Sequence, residues 1–370
     1  MISRLLVFGV VASLAGCGGP ATDFGSRSAT FGSTTMNVTE AFDVCGPKMS
    51  YAKHQKAIAV IEEFMSAMES VENGFWMGRF AVADCYLSYG HFDEAMQRYS
   101  DALNDVEARW GREDMRFAAT LEKIAGVYLI QGRYDQAAVL YQRALGVKTA
   151  LVGEDDPLLV LPLTGLGETH LRSGQFREAQ GRFARSQAIC EEAQGADHPD
   201  CAYTLSNVAK AYYHTGREKQ AEELLQHGLS IVEEAVGMQH PAVAERLNDL
   251  GSFYYAQERF DEAKPLFQRA LSILERRLGS SDLALSPSLN GLGAINYELG
   301  RFEEAENQYL RGLDLMETAF APTDQRLFGV LVNLVELYGA QGREAEADAL
   351  RDRIDDILTE HGFIPEDTFL

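Results

Sequence analysis

The stretch LEKIAGVYLIQGRYDQAAVLYQRAL, Leu121 to Leu145, carries helical spacing on both sides of one glycine. Leu121, Ile124, Ala125 and Tyr128 precede Gly132; Ala137, Tyr141, Ala144 and Leu145 follow it. A helix ends, the chain turns through glycine, and a second helix begins. Glycine suits the turn because a side chain in the left-handed region costs roughly 1–2 kcal/mol. The block returns at a fixed 42-residue step, with Gly90, Gly174, Gly216, Gly300 and Gly342 at the same rung and Glu258 at the remaining one. Five residues after each rung stands an alanine, from Ala95 to Ala347. Four before it stands Tyr86, Tyr128, His170, Tyr212, Tyr254, Asn296 or Tyr338, and eight before it an aliphatic residue, from Val82 to Leu334. A period of this length means one helical hairpin stacked on copies of itself, so the fold is all-α.

These residues resemble the tetratricopeptide repeat. The 42-residue form, with His198-Pro199, His240-Pro241 or Asp156-Pro157 before the first helix and Gly132-Arg133-Tyr134 at the turn, is similar to the kinesin light chain subfamily. The resemblance implies a right-handed superhelical solenoid of about seven repeats over residues 72–358. A capping helix is expected over 46–71 and a tail over 359–370. Glu258 is expected to strain its turn or to relax it into another loop. Arg351 and Asp355, at apolar positions of the last helix, fit a polar terminal cap.

The N-terminus reads differently. Arg4, an apolar run from Leu5 to Leu14, and then Leu14-Ala15-Gly16-Cys17 make residues 1–16 a secretory signal too short to span a bilayer. The small residues before cysteine resemble the lipobox of bacterial lipoproteins, which implies cleavage before Cys17 and its acylation. The alternative is an ordinary signal peptide cleaved nearby. Gly18 after the cysteine implies the outer membrane, with the chain facing the periplasm. Residues 17–45, rich in Gly, Ser, Thr and Ala, read as a flexible tether with a span of roughly 30 Å. The formal charge of −22 argues against nucleic acid and against adhesion to anionic lipid, leaving an acidic body on an acyl anchor.

Cys190 ends one helix and Cys201 begins the next, so a disulfide between them is expected in an oxidising compartment, with two buried thiols as the alternative. Cys45 and Cys85 are left open. His198 could join Cys190 and Cys201 around a metal, but it recurs as His240 at the start of another repeat, so it reads as a helix-start residue. The remaining histidines are scattered, and no nucleophile elbow, phosphate loop or zinc motif occurs. No catalytic group, metal or cofactor is expected.

If the superhelix follows its family, the first helix of each repeat lines a concave groove. Three residues before the rung that groove carries Leu129 and Leu171, then Tyr213, Tyr255 and Tyr297. Arg172, Lys210, His214, Asn248 and Asn290 lie beside them. Two readings stand for the tyrosines: they hold an extended partner segment, as aromatic hot spots do, or they fill space between neighbouring helices. The first makes the chain a non-enzymatic, lipid-anchored scaffold with a protein or peptide partner. The rival is a sensor or carrier of a small molecule or glycan.

Overall fold

The structure, a computed structural model, describes residues 28–31, 34–37, 75–88 and 90–360. Among them lie fourteen α-helices. In chain order they are α1 (Phe75–Ser88), α2 (Phe92–Trp110), α3 (Met115–Ile130), α4 (Tyr134–Val152), α5 (Val160–Arg172), α6 (Phe176–Gln194) and α7 (Pro199–His214). There follow α8 (Glu218–Val236), α9 (Pro241–Ala256), α10 (Phe260–Leu278), α11 (Ser286–Glu298), α12 (Phe302–Ala319), α13 (Phe328–Ala340) and α14 (Glu344–Glu360). Odd-numbered helices open a repeat and even-numbered ones close it. The chain divides into two compact units, one of residues 12–153 to which Thr318–Ala321 are assigned, the other running from Glu154 onward. Each is described by itself.

Two short strands are described within the stretch read as a tether. Ser28–Phe31 (β1) and Thr34–Asn37 (β2) pair antiparallel, Ser28 opposite Asn37 and Phe31 opposite Thr34. The Thr content and the two-residue Gly-Ser connection are hairpin signals that a reading by composition alone overlooked. The signal segment, the rest of the tether, the capping helix at 46–71 and the tail lie outside the described residues.

Within a repeat the turn is the same throughout. The Gly132 N–H donates to the Leu129 carbonyl and the Arg133 N–H to the Tyr128 carbonyl, closing α3. Glu258 keeps this geometry in place of relaxing: its φ is 63°, against 70° at Gly132, and its N–H donates to Tyr255 O at 2.9 Å. The strain reading therefore holds. A second glycine series, Gly111, Gly153, Gly195, Gly237 and Gly279, ends the even helices with the same 42-residue step. Asp114, His198 and His240 cap α3, α7 and α9, and Asp156, Asp282 and Asp324 cap the single 3-10 turns that lead into α5, α11 and α13, each side chain accepting an N–H two residues on. The Nδ1 of His198 accepts from Asp200 N–H, as Asp156 Oδ1 does from Leu158, which explains why His and Asp alternate at this position.

Packing explains the small residues. All seven alanines five places after the rung are fully buried, Ala95 to Ala347. An aromatic ring on the even helix lies over a glycine of its own odd helix: a Cβ on Gly167 would stand 2.6 Å from Phe183, and one on Gly293 2.6 Å from Tyr309. Phe267 also reaches Gly291 of the following repeat. One ring thus joins two repeats.

Charges tie the repeats from outside. In the unit from Glu154 onward Arg269 pairs with Glu233 at 2.6 Å, Arg311 with Glu275 at 2.7 Å and Arg353 with Glu317 at 2.5 Å, one repeat apart. The same arginines donate to loop carbonyls of Met238, Ser280 and Pro322. Each pair is partly exposed and contributes on the order of 0–1 kcal/mol, so it sets register more than stability. A second staple places the Arg259 guanidinium 4.2 Å over the Tyr254 ring, with bonds to Glu222 and Glu262; Arg343 repeats it on Tyr338, Glu306 and Glu346.

Cys190 and Cys201 are joined, with S–S 2.01 Å and Cα atoms 5.7 Å apart, closing the loop between α6 and α7. Cys85 is also disulfide-bonded.

Two outcomes follow for stability. Glu258→Gly relieves left-handed strain of about 1–2 kcal/mol and loses part of that to the looser unfolded chain, so a net gain of roughly 0.5–1 kcal/mol is expected in denaturant melts. Gly293→Ala drives a Cβ into Tyr309 and is expected to cost about 1–3 kcal/mol in the same melts.

Hydrogen bonds from Arg259 hold the Glu222 carboxyl below its ordinary value of 4.5, and Arg343 does the same for Glu306. Because both folded values are depressed, their contribution is complete above the ordinary carboxylate range and disappears as pH falls through the folded values. Acid titration of melting temperature should fall less steeply in an Arg259→Met, Arg343→Met variant than in the parent.

Candidate functional site

The odd helices of the unit from Glu154 onward set most of the expected groove residues in one stripe. Proline at the first turn of α7 and of α9, after a His cap, starts both helices in the same phase, so residues one period apart align. Tyr213, Tyr255 and Tyr297 accordingly occupy successive odd helices. Their hydroxyls reach along the stripe: Tyr213 donates to the Ala256 carbonyl at 3.4 Å and Tyr255 to Glu298 Oε1 at 3.4 Å. Both links join residues 43 apart, one period plus one.

The stripe is not uniformly open. Tyr255 is 4% exposed, packed against Phe260 and within the cluster around Phe253, Phe267 and Leu292, so space-filling describes it better than ring-to-partner contact. Tyr213 and Tyr297 are half-buried, and Tyr297 tilts against Phe302. Burial and then Glu218 push the Tyr213 phenol above its ordinary value; burial, then Glu336 and Glu298, do so for Tyr297. Both therefore stay protonated and able to donate at neutral pH.

The polar neighbours make local bonds. Arg172 pairs with Glu168 at 2.8 Å and Lys210 Nζ lies 3.9 Å from Asp249. Asn248 accepts from Ser288 at 2.9 Å and Asn290 from Asn333 at 2.8 Å, so both asparagine carbonyls link odd helices. His214 stacks on Phe176, ring centroids 4.6 Å apart, and burial lowers its pKa, keeping it neutral. Leu171 is half-buried against Ala179 and Phe183. Leu129, on α3 in the other unit, is 6% exposed and belongs to its interior, so it offers little surface. Cys17 lies outside the described residues.

One residue escaped the sequence reading. Tyr309, on an even helix, is 2% exposed, and its ring lies on Gly293. Burial above all pushes its phenol pKa well up, and the charges of Tyr255, Glu336, Tyr297 and Glu298 add to the shift. Gly293 was the available signal, since a glycine there admits the Tyr309 ring close against its helix.

Chemically the stripe offers phenol donors, amides and carboxylates set for binding. Among the described residues no group of three or more His, Cys, Asp or Glu is arranged to hold a metal ion. No described helix is long and apolar enough to cross a membrane.

The tetratricopeptide repeat model matches residues 116–192, 162–234 and 242–318, more than half of the chain. The chain belongs to the tetratricopeptide repeat family. That family is typically non-enzymatic scaffold. No curated protein matches the chain. Among solved structures the repeat protein is similar to BtubC (BKLC) from P. vanneervenii, at 22% identity and TM-score 0.49 over 64% of this chain and 95% of that one. It is similar to a putative kinesin light chain with nearly identical repeats from Podospora anserina, at 20% identity and TM-score 0.47 over 54% and 94%. It is also similar to a Rap protein complexed with competence and sporulation factor, at 15% identity and TM-score 0.61 over 83% and 80%.

Opening the Cys190–Cys201 loop tests how far the stripe depends on α6 and α7. On the chain-entropy model a loop this short contributes roughly 3 kcal/mol, so Cys190→Ser, Cys201→Ser should lose about that much in denaturant melts. Reductant should destabilise the parent equally and the double variant not at all at this loop.

Proposed function

We propose that this repeat protein is a non-enzymatic scaffold that holds an extended protein segment along the odd-helix stripe from Tyr213 to Tyr297, its concave groove. The observation that carries this reading is the line of phenol donors on successive odd helices, with Tyr213 and Tyr297 half-buried. Half-buried tyrosines supply rigid contact area with a hydroxyl handle, at a small entropic cost on binding. The similar Rap protein carries competence and sporulation factor on the same fold, which supports a bound-ligand role without fixing the ligand.

In this reading Cys17 is acylated, and the chain stands on the periplasmic side of an outer membrane. More than one acyl chain, at about 0.8 kcal/mol per buried CH2, suffices for stable anchoring. The support is the sequence from Leu14 to Cys17. A sensor or carrier of a small molecule would need polar groups converging on one enclosed pocket, whereas the phenols here are strung along successive helices.

Affinity purification from detergent-solubilised membranes tests both parts. A Tyr213→Ala, Tyr297→Ala variant, with Tyr255 kept because it is buried, should lose partner capture at least tenfold and keep its helical circular dichroism. Undiminished capture by that variant contradicts the groove reading. Cys17→Ser should move the chain from the membrane to the soluble fraction, and continued sedimentation with membranes contradicts acylation there.

A further inference from the structure

Neighbouring odd helices are linked by a recurring pair of positions. In the unit of residues 12–153, Lys123 Nζ on α3 donates to Asp84 Oδ1 on α1 at 2.8 Å, 39 residues back. In the unit from Glu154 onward, Asp249 Oδ1 on α9 lies 3.9 Å from Lys210 Nζ on α7, at the same two positions. The step from α5 to α7 carries Glu168 and Asn207 there, a carboxylate and an amide that match as acceptor and donor. The structure does not join them. Arg172, one turn further along α5, takes the Glu168 carboxylate, giving Nε at 3.1 Å and Nη2 at 2.8 Å to the single oxygen Oε1. Asn207 is 5% exposed, and its Nδ2 has no hydrogen-bond partner among the described residues. A buried donor in that condition is rare and costly.

We propose, resting on the groove reading above, that Glu168 is a movable latch thrown by an acidic side chain of the bound segment. In the open setting, the one in the structure, Glu168 stays with Arg172 on its own helix and Asn207 is unpartnered. An aspartate or glutamate of the segment takes Arg172, which stands two residues before the rung beside the stripe. Glu168 then crosses to Asn207 Nδ2 and ties α5 to α7, as the other two pairs tie their own steps. Two features favour the exchange. The guanidinium fork fits a carboxylate through two oxygens, whereas Glu168 offers it one. The buried amide also gains the acceptor it lacks, so binding in the groove is coupled to a hydrogen bond inside it. The Arg172 side chain is 26% exposed, open to a ligand yet partly withdrawn from water, which strengthens the pair. The overall charge of −22 opposes an acidic segment at long range, so the preference rests on the contact itself and association should quicken with salt.

The latch and its trigger are tested separately. A crystal structure of full-length Arg172→Met without peptide should place the Glu168 carboxylate within about 3.2 Å of Asn207 Nδ2, while the parent keeps Glu168 on Arg172. Asn207 still apart from Glu168 in that variant overturns the latch. The trigger is read by fluorescence anisotropy on the full chain in detergent. The probes are fluorescein-labelled, C-terminally amidated decapeptides, uncharged except for one central Glu, Gln or Lys. The Glu peptide should bind about tenfold more tightly than the Gln peptide, and the Lys peptide most weakly. Arg172→Met should abolish that preference. Asn207→Leu, similar in shape but without a donor, should cut it about threefold and leave the Gln peptide unaffected. In a Glu168→Met background, Asn207→Leu should change nothing further, because the latch is already gone.

Equal affinity for the Glu and Gln peptides overturns the trigger while leaving the groove reading intact, since the segment still binds. A loss in Asn207→Leu that is the same for both peptides marks a merely structural asparagine and overturns the coupling. A Gln peptide with a free C-terminal carboxylate that binds as tightly as the Glu peptide contradicts an acidic side chain as the trigger. If none of the peptides binds, the inference fails, and the groove reading is judged separately by the membrane capture experiment.

Discussion

The structure depends on a backbone turn that only a left-handed residue can make. At each rung two main-chain hydrogen bonds close the first helix, and the chain re-enters the second helix two residues later. That geometry fixes the angle between the two helices, which places alanine five residues on against the first helix with no exposed surface. Helix proximity in turn requires glycine at Gly167 and Gly293, where the Phe183 and Tyr309 rings of the second helix cross the first. Glu258 shows how strong the demand is. A carboxylate side chain accepts a φ of 63° and its cost of roughly 1–2 kcal/mol because the packing on either side leaves no other path.

From the turn follows the stripe. Identical turns put equivalent residues of successive odd helices one above another, so a short sequence difference becomes a spatial gradient. Within the unit from Glu154 onward the line runs from Leu171 to Tyr213, Tyr255 and Tyr297, and ends beside Glu298 and Glu336. Its polar groups are satisfied mainly by neighbours one repeat away, as in Asn290 with Asn333 and Asn248 with Ser288. What is left to an outside molecule is a series of phenol edges. Recognition of an extended segment uses surfaces of this kind.

Much of the fold was legible in the sequence because periodicity survives substitution. The 42-residue step, the buried alanines and the capping role of His198 and His240 can all be read without coordinates. The second glycine series and the arginine ladder of Arg269, Arg311 and Arg353 were equally periodic, but they lie at loop and outer positions, where hydrophobic spacing gives no cue. The site was less legible. Exposure along the stripe depends on how deeply each ring sinks between helices: Tyr255 sinks and Tyr213 does not, although both occupy the same repeat position. Tyr309 was hidden for the converse reason. Its position normally fills space, and only Gly293 lets its ring sit so close to α11.

The central claim is that a partner segment lies along this face and not along the even helices. Site-specific photo-crosslinking in cells tests it most directly, with p-benzoylphenylalanine placed at Tyr297 on the stripe or at Leu310, an exposed position on α12. The account predicts a discrete protein adduct from position 297 and none of that size from position 310. An adduct from position 310 alone would contradict it.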